Sequence, residues 1–286
     1  MEAVLFVGHG SRDKEGNDEV RAFIKNMLPR IQTPIVETCF LEFEKPNINQ
    51  GISQCIEKGA TKVVVIPIIL LGAGHSKIHI PAAIDEAKEH YPKVQFVYGR
   101  PIGVHDLVID ILHERFQEVV ELNKKEISEE TAVLIVGRGS SEPDANSDVY
   151  KISRLFWEKM KVKWVETAFI GVTFPTMDEG IERCIKLGAK NVIILPYFLF
   201  TGILIKRMED MVKTYQHQYE NLQFQLGEYF GFHSNLKEVL IERVNEALQD
   251  EVKMNCDNCS YRLDAMKHID HHHHHDHDHE HHHHHA

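Results

Sequence analysis

The chain has 286 residues, 43% of them hydrophobic, and a formal charge of −11. That length and apolar content suffice for a sizeable core in two domains or one large one, while the acidic balance argues against a nucleic-acid partner. No stretch approaches the roughly 20 apolar residues of a membrane helix, and the start "MEAVLFVGHG" lacks the basic flank and cleavage site of a signal peptide, so the expected setting is cytoplasmic with no membrane partner.

In chain order, short β-branched runs predict strands near 3–7, 35–40, 62–69 and 94–97, and longer amphipathic stretches predict helices near 15–29, 48–58, 79–90 and 105–122. Such alternation builds βα units into a parallel sheet. "KVVVIPIIL" is apolar on both faces, as a central strand should be. Pro46-Asn47 precedes the helix at 48–58 and Gly59 follows it as a C-terminal cap. The charged segment "NKKEISEE", 123–130, then reads as a linker.

The segment after the linker repeats the one before it. Shifted by 129 positions, residues 36–67 align with 165–196 without a gap and 13 of 32 positions are identical; over 4–17 against 133–146 the match is 7 of 14. After one deletion Gly99, Gly103 and His105 are answered by Gly227, Gly231 and His233. The expected fold is therefore α/β, two similar lobes with parallel sheets from an internal duplication: 1–124, 131–250, and a tail at 251–286. The tail has no apolar periodicity after Met266 and is expected to be disordered without a ligand.

Ligands of open parallel sheets bind beyond the carboxyl ends of the strands. In the first copy those positions hold "GHGSR" with His9, "LEFEK" with Glu42, Glu44 and Lys45, and "LLGAGHSKIH" with His75, Lys77 and His79. Two imidazoles and a carboxylate suit a loosely held divalent transition metal, and the carboxylate can also take up protons. The plainer alternative is that each histidine only hydrogen-bonds within its turn. The second copy works as an internal control. There His9 becomes Arg138, Glu42 becomes Gly171, His75 becomes Leu204 and His79 becomes Met208, while Lys77 persists as Lys206. A fold that required the histidines would need them twice. No G-x-S-x-G elbow, Walker loop or G-x-G-x-x-G is present to support hydrolase or nucleotide chemistry.

"VGHGSR", "ETCFLEFEKPNI" and "PIILLGAGHSKIHIP" resemble the sirohydrochlorin cobaltochelatase and ferrochelatase family, class II chelatases of cobalamin and sirohaem synthesis. The match covers both copies and is most similar to the long bacterial cobaltochelatases, which carry M-x-C-x-x-C and a histidine-rich C-terminus. The resemblance implies two flavodoxin-like lobes facing across a cleft, and ATP-independent insertion of Co(II), as substrate, into sirohydrochlorin. It places metal binding and proton acceptance on His9 and His75 and the helper carboxylate on Glu42. Lys45 and the loop Leu70, Leu71, Gly72, Ala73 and Gly74 match segments that line the tetrapyrrole site. Fe(II) insertion for sirohaem and a non-catalytic metal store are the rival readings, since metal choice is not written in two imidazoles and a carboxylate. Sirohydrochlorin carries eight carboxylates, so Arg12, Lys45, Lys77, Arg100, Arg138, Lys206 and Arg207 are candidates for a basic rim, with solvated surface charge as the alternative for each. Arg138 in particular is expected to grip a substrate carboxylate.

Cys39, Cys55 and Cys184 fall singly in apolar contexts and read as buried thiols, whereas Cys256 and Cys259 form a C-x-x-C pair. By itself that pair fits a redox couple, half a zinc site, a copper-carrier loop or part of an iron-sulfur cluster. The resemblance favours a 4Fe-4S cluster, whose two missing ligands would come from elsewhere, such as a second chain in a homodimer. Residues 271–285 hold twelve histidines interspersed with Asp276, Asp278 and Glu280. A purification tag is the plain alternative, but the broken pattern is unlike one, and such a run would gather metal ions at several weak sites.

Overall fold

In the computed structural model, residues 1–122 and 127–252 are described, with the backbone alone at His75. Lobe 1 contains β1 (Glu2–Gly8), α1 (Lys14–Met27), β2 (Ile35–Phe40), α2 (Ile48–Glu57), β3 (Lys62–Ile68), α3 (Ile80–His90), β4 (Gln95–Tyr98) and α4 (Asp106–Leu122). Lobe 2 repeats the series as β5 (Thr131–Gly137), α5 (Pro143–Lys159), β6 (Trp164–Phe169), α6 (Met177–Lys186), β7 (Asn191–Pro196), α7 (Ile203–Gln218), β8 (Gln223–Leu226) and α8 (Ser234–Leu248). The sheets are parallel and four-stranded, ordered β2-β1-β3-β4 and β6-β5-β7-β8. In each, the connections leave the two central strands in opposite directions. The resulting crevice lies beyond Gly8 and Ile68 in lobe 1, and beyond Gly137 and Pro196 in lobe 2.

The central strands are apolar on both faces because each face is covered, and alternate residues serve different cores. Ala3, Leu5 and Val7 pack under α2 and α3, while Val4, Phe6, Val64 and Ile66 face inward. In lobe 2, Leu134 and Val136 lie under α6 and α7, while Val133, Ile135 and Ile193 face inward. The inward faces share one core, with Phe23 of α1, Leu112 and Phe116 of α4, Phe156 of α5, and Leu236, Leu240 and Val244 of α8. That shared core makes Met1–Val252 one compact unit. Side chains of this kind contribute about 1.5–3 kcal/mol each on full burial.

The last helix of each lobe serves the other lobe. α8 packs on β3 and β4, and α4 packs on β7 and α5. The buried Arg243 of α8 donates to the carbonyls of Pro101 (3.2 Å) and Ile102 (2.9 Å), and Arg115 of α4 donates to that of Phe230 (2.9 Å). His105 Nε2 meets Glu242 of α8 at 3.1 Å, and His233 Nε2 meets Glu114 of α4 at 2.9 Å. In both rings Nδ1 accepts a helix-starting amide, from Leu107 and Asn235, so Nε2 carries the proton. Arg30 and Glu238 form a further ion pair between the lobes.

Cys39, Cys55 and Cys184 are buried and free, and burial pushes all three thiols up, Cys55 and Cys184 to about 12. They are unreactive packing groups at neutral pH. Among the described residues no helix is long and apolar enough to cross a membrane. Cys256, Cys259, the histidine run and part of the 123–130 linker lie outside the described residues.

Candidate metal and macrocycle site

His9 follows the last residue of β1, and its loop is stitched to the one after β2: Leu41 N donates to Gly8 O (3.0 Å) and Glu42 N to His9 O (3.2 Å). Gly10 makes this approach possible, with φ of 85° and a place where a Cβ would lie 1.8 Å from the Glu42 carbonyl oxygen. His9 Nδ1 stands 3.1 Å from Gly10 O, which selects the tautomer with the proton on Nδ1. Nε2 is thereby left as a lone-pair donor, 3.6 Å from Glu42 Oε1. That gap is long for a hydrogen bond but close to the roughly 3.0–3.4 Å that separates two ligands of one transition-metal ion.

Glu44 has a different task from its neighbour. It accepts from Asn17 (3.0 Å), Arg21 (2.9 Å) and the Lys45 amide (3.0 Å), which hold its carboxyl below the usual range. Asn17 in turn bonds both the amide and carbonyl of Ser11, so the His9 loop and the Glu42 loop are pinned to α1. Lobe 2 keeps this device, with Asn146 bonding the amide and carbonyl of Ser140.

After β3, Leu70, Leu71, Gly72, Ala73 and Gly74 form a half-buried loop that leads into a π turn, His75–His79. Ser76 Oγ bonds Ala73 O (2.9 Å) and Ala73 N (3.0 Å), and Tyr98 donates to Ser76 O at 2.7 Å, so the loop has a fixed floor. His75 opens the π turn. π turns are rare and concentrate at functional sites.

Between the lobes lies a cavity of about 250 Å³. Lobe 1 lines it with His9, Leu70, Leu71 and Ala73, and lobe 2 with Arg138, Ser140, Val149, Tyr197 and Leu199. Arg138 is exposed and makes no ion pair among the described residues, an uncommitted cation opposite His9. Tyr197 escaped the sequence reading. Its hydroxyl is buried with no hydrogen-bond partner among the described residues, and burial pushes its pKa up, so it stays a neutral donor. The signal was available as the replacement of Ile68 in lobe 1 by Tyr197 in lobe 2.

The expected basic rim is only partly present. Arg100 is not on it: its half-buried guanidinium is held by Glu246 (2.9 and 3.0 Å) and acts as a strut to α8. Lys77 pairs with Asp144 (3.3 Å), and Lys206 with Asp13 (2.6 Å) and Glu15 (2.9 Å), so both lysines clasp the opposite lobe. Arg12 lies 4.9 Å over the Phe43 ring, and Lys45 is exposed. Arg207 borders a separate depression on α7 with Asp178 and Asp210. Among the described residues no three His, Cys, Asp or Glu side chains form a metal cage. An ion at His9 and Glu42 would keep open positions, as delivery to a second ligand requires.

A family model described as CbiX matches residues 3–119 and again 132–247. A sirohydrochlorin cobaltochelatase of Priestia megaterium is 65% identical, over 95% of this chain and 88% of that protein. A sirohydrochlorin ferrochelatase of the same organism is 40% identical, over 88% and 92%. The crystal structure of the sirohydrochlorin chelatase SirB from Bacillus subtilis subspecies spizizenii in complex with cobalt superposes with a TM-score of 0.74 at 32% identity, over 87% of this chain and 96% of that one. With the family model matched over both lobes and a relative so similar along nearly the whole length, the chain belongs to the CbiX family.

Proposed function

We propose that this chain inserts Co(II) into sirohydrochlorin without ATP, in the cytoplasm, as a step of cobalamin synthesis. The observation that carries the reading is the pairing of His9 Nε2 with Glu42 Oε1, 3.6 Å apart, at the edge of a cavity that both lobes line. Metallation requires a cation to shed water and a macrocycle to lose two pyrrole protons, so a site needs ligands and bases together. His9 and Glu42 supply one of each, and His75, at the start of the π turn, is the second imidazole. Residues 1–124 carry this chemistry and 131–250 supply the facing wall. There Arg138, with Arg12 and Lys45 opposite, holds substrate carboxylates, and the loop Leu70 to Gly74 lies against the macrocycle.

Cobalt is preferred over iron because the cobaltochelatase relative is 65% identical and the ferrochelatase relative 40%. A 4Fe-4S cluster on Cys256 and Cys259 is part of the proposal. The other described cysteines are buried one by one in the lobe cores and cannot complete it, which favours the same pair from a second chain and hence a homodimer. The histidine run, 271–285, would raise the local supply of metal.

The test mixes the full chain with sirohydrochlorin and Co(II), Fe(II) or Ni(II) and follows the pigment's absorption. Cobalt insertion is expected to be accelerated most. Acceleration with Fe(II) alone would reassign the metal, and none over the uncatalysed control would leave only metal storage.

A further inference from the structure

We infer that lobe 1 holds a second cation station on the outer side of Glu42, formed with His79, where a hydrated divalent ion is received before it passes to His9. The inference rests on the proposed metal insertion and adds the route by which the ion arrives.

Glu42 has two aspects. Its Oε1 faces His9 at 3.6 Å, and its side chain also borders an open depression of about 400 Å³ shared with His79, Asn47 and Asn49. One carboxylate therefore touches both the catalytic imidazole and a solvent-facing hollow that contains a second imidazole. His79 is exposed and ends the π turn, immediately before α3.

Lobe 2 again acts as the control. The counterpart of His79 is Met208, fully buried in the core under α7, and the segment around it runs as regular helix from Ile203 with no π turn. The counterpart of Glu42 is Gly171, where a Cβ would lie 2.5 Å from the Arg138 carbonyl oxygen. The same frame thus uses this position for packing in one lobe and turns an imidazole to solvent in the other. The turn that reorients it occurs only in the lobe with the carboxylate.

An imidazole and a carboxylate are suitable ligands for Co, Ni, Zn or Fe, and a station with two protein ligands leaves most of the ion's water in place. Weak holding suits transfer. An ion there can exchange its remaining water for His9 as the Glu42 carboxylate rotates between the two sides, so the full dehydration cost is not met in one step.

Two measurements on the full chain test this, with Co(II) alone as the probe in the first. Imidazole NMR signals of His79, assigned by their loss in His79→Gln, are expected to broaden on cobalt addition in His9→Ala as well as in the wild type, while His90, also exposed on α3, stays sharp. A His79 signal that stays sharp in His9→Ala, or broadening shared equally by His90, would overturn the station. In the second, His79→Gln is expected to slow cobalt insertion by about threefold or more when cobalt is scarce and by little at saturation. Equal slowing in both regimes would overturn it. The NMR arm needs no tetrapyrrole, so failure of the chelatase reading and failure of the station are told apart.

Discussion

Lobe 1 ends its strands in His9, Glu42 and the π turn to His79, whereas lobe 2, on a frame that matches strand for strand, ends them in Arg138, Gly171 and plain helix through Met208. What the lobes share is scaffolding. Asn17 and Asn146 tie down the first loops, Asn47–Gln50 and Thr176–Glu179 form capping boxes, and His105 and His233 start the exchanged helices. Of what differs, His9 and Arg138 line the cavity, and Glu42 and His79 line the outer depression. The difference teaches that His9, His79 and Glu42 are not demanded by the fold, and it sets an arginine across the cavity from His9.

The comparison can be broken first at the helix exchange. Arg243 is fully buried and holds Glu242 and Glu246, so Arg243→Ala is expected to cost about 3–5 kcal/mol in urea unfolding. Its counterpart Arg115→Ala, at a partly exposed pair with Glu118, should cost about 1–2 kcal/mol. Equal losses would mean that the two exchanges are energetically alike.

Next in size, His9→Ala is expected to lower cobalt insertion about 100-fold, and adding Arg138→His should restore none of it, because Gly171 offers no carboxylate beside that position. Recovery would show that the lobes are chemically interchangeable. Arg138→Ala should weaken sirohydrochlorin binding by about five- to tenfold and leave cobalt binding nearly unchanged, measured by separate titrations. The reverse pattern would move Arg138 out of the substrate role.

The smallest effect concerns acid. The His105 N–H, with Arg243 beside it, holds Glu242 at about 2, against an ordinary 4.5. Since the folded carboxyl titrates lower than the unfolded one, its contribution is complete above pH about 4.5 and is lost as pH falls toward 2. Allowing for its partial exposure, the wild type should lose about 1 kcal/mol more than Glu242→Gln between pH 5 and pH 3. Parallel acid profiles would remove this pair from the stability of the exchange.

Much of this was legible in the sequence because period and punctuation act locally. The eight strands and helices of lobe 1 lie within a residue or two of their expected bounds, and Gly59 has the positive φ, 91°, of a helix-ending glycine. The helix exchange was not legible. α4 and α8 are amphipathic like any lobe helix, and nothing local states which sheet their apolar stripe will meet. Arg100 was misread for the same reason, since its partner Glu246 is 146 residues away. At the site, the difference between copies pointed to His9, Glu42 and Arg138. Tyr197 passed unseen because a tyrosine at an apolar strand end reads as core.

The exchange also sets a timetable for synthesis. Lys62, at the start of β3, bonds the carbonyl of Leu248, 186 residues later, at 2.6 Å. At a synthesis rate of about 5–20 residues per second, the inner face of the first sheet waits roughly ten to forty seconds for the helix that covers it. During that interval Val64 and Ile66 have no permanent cover, and a ribosome that stops before residue 234 releases a chain with its first lobe still open.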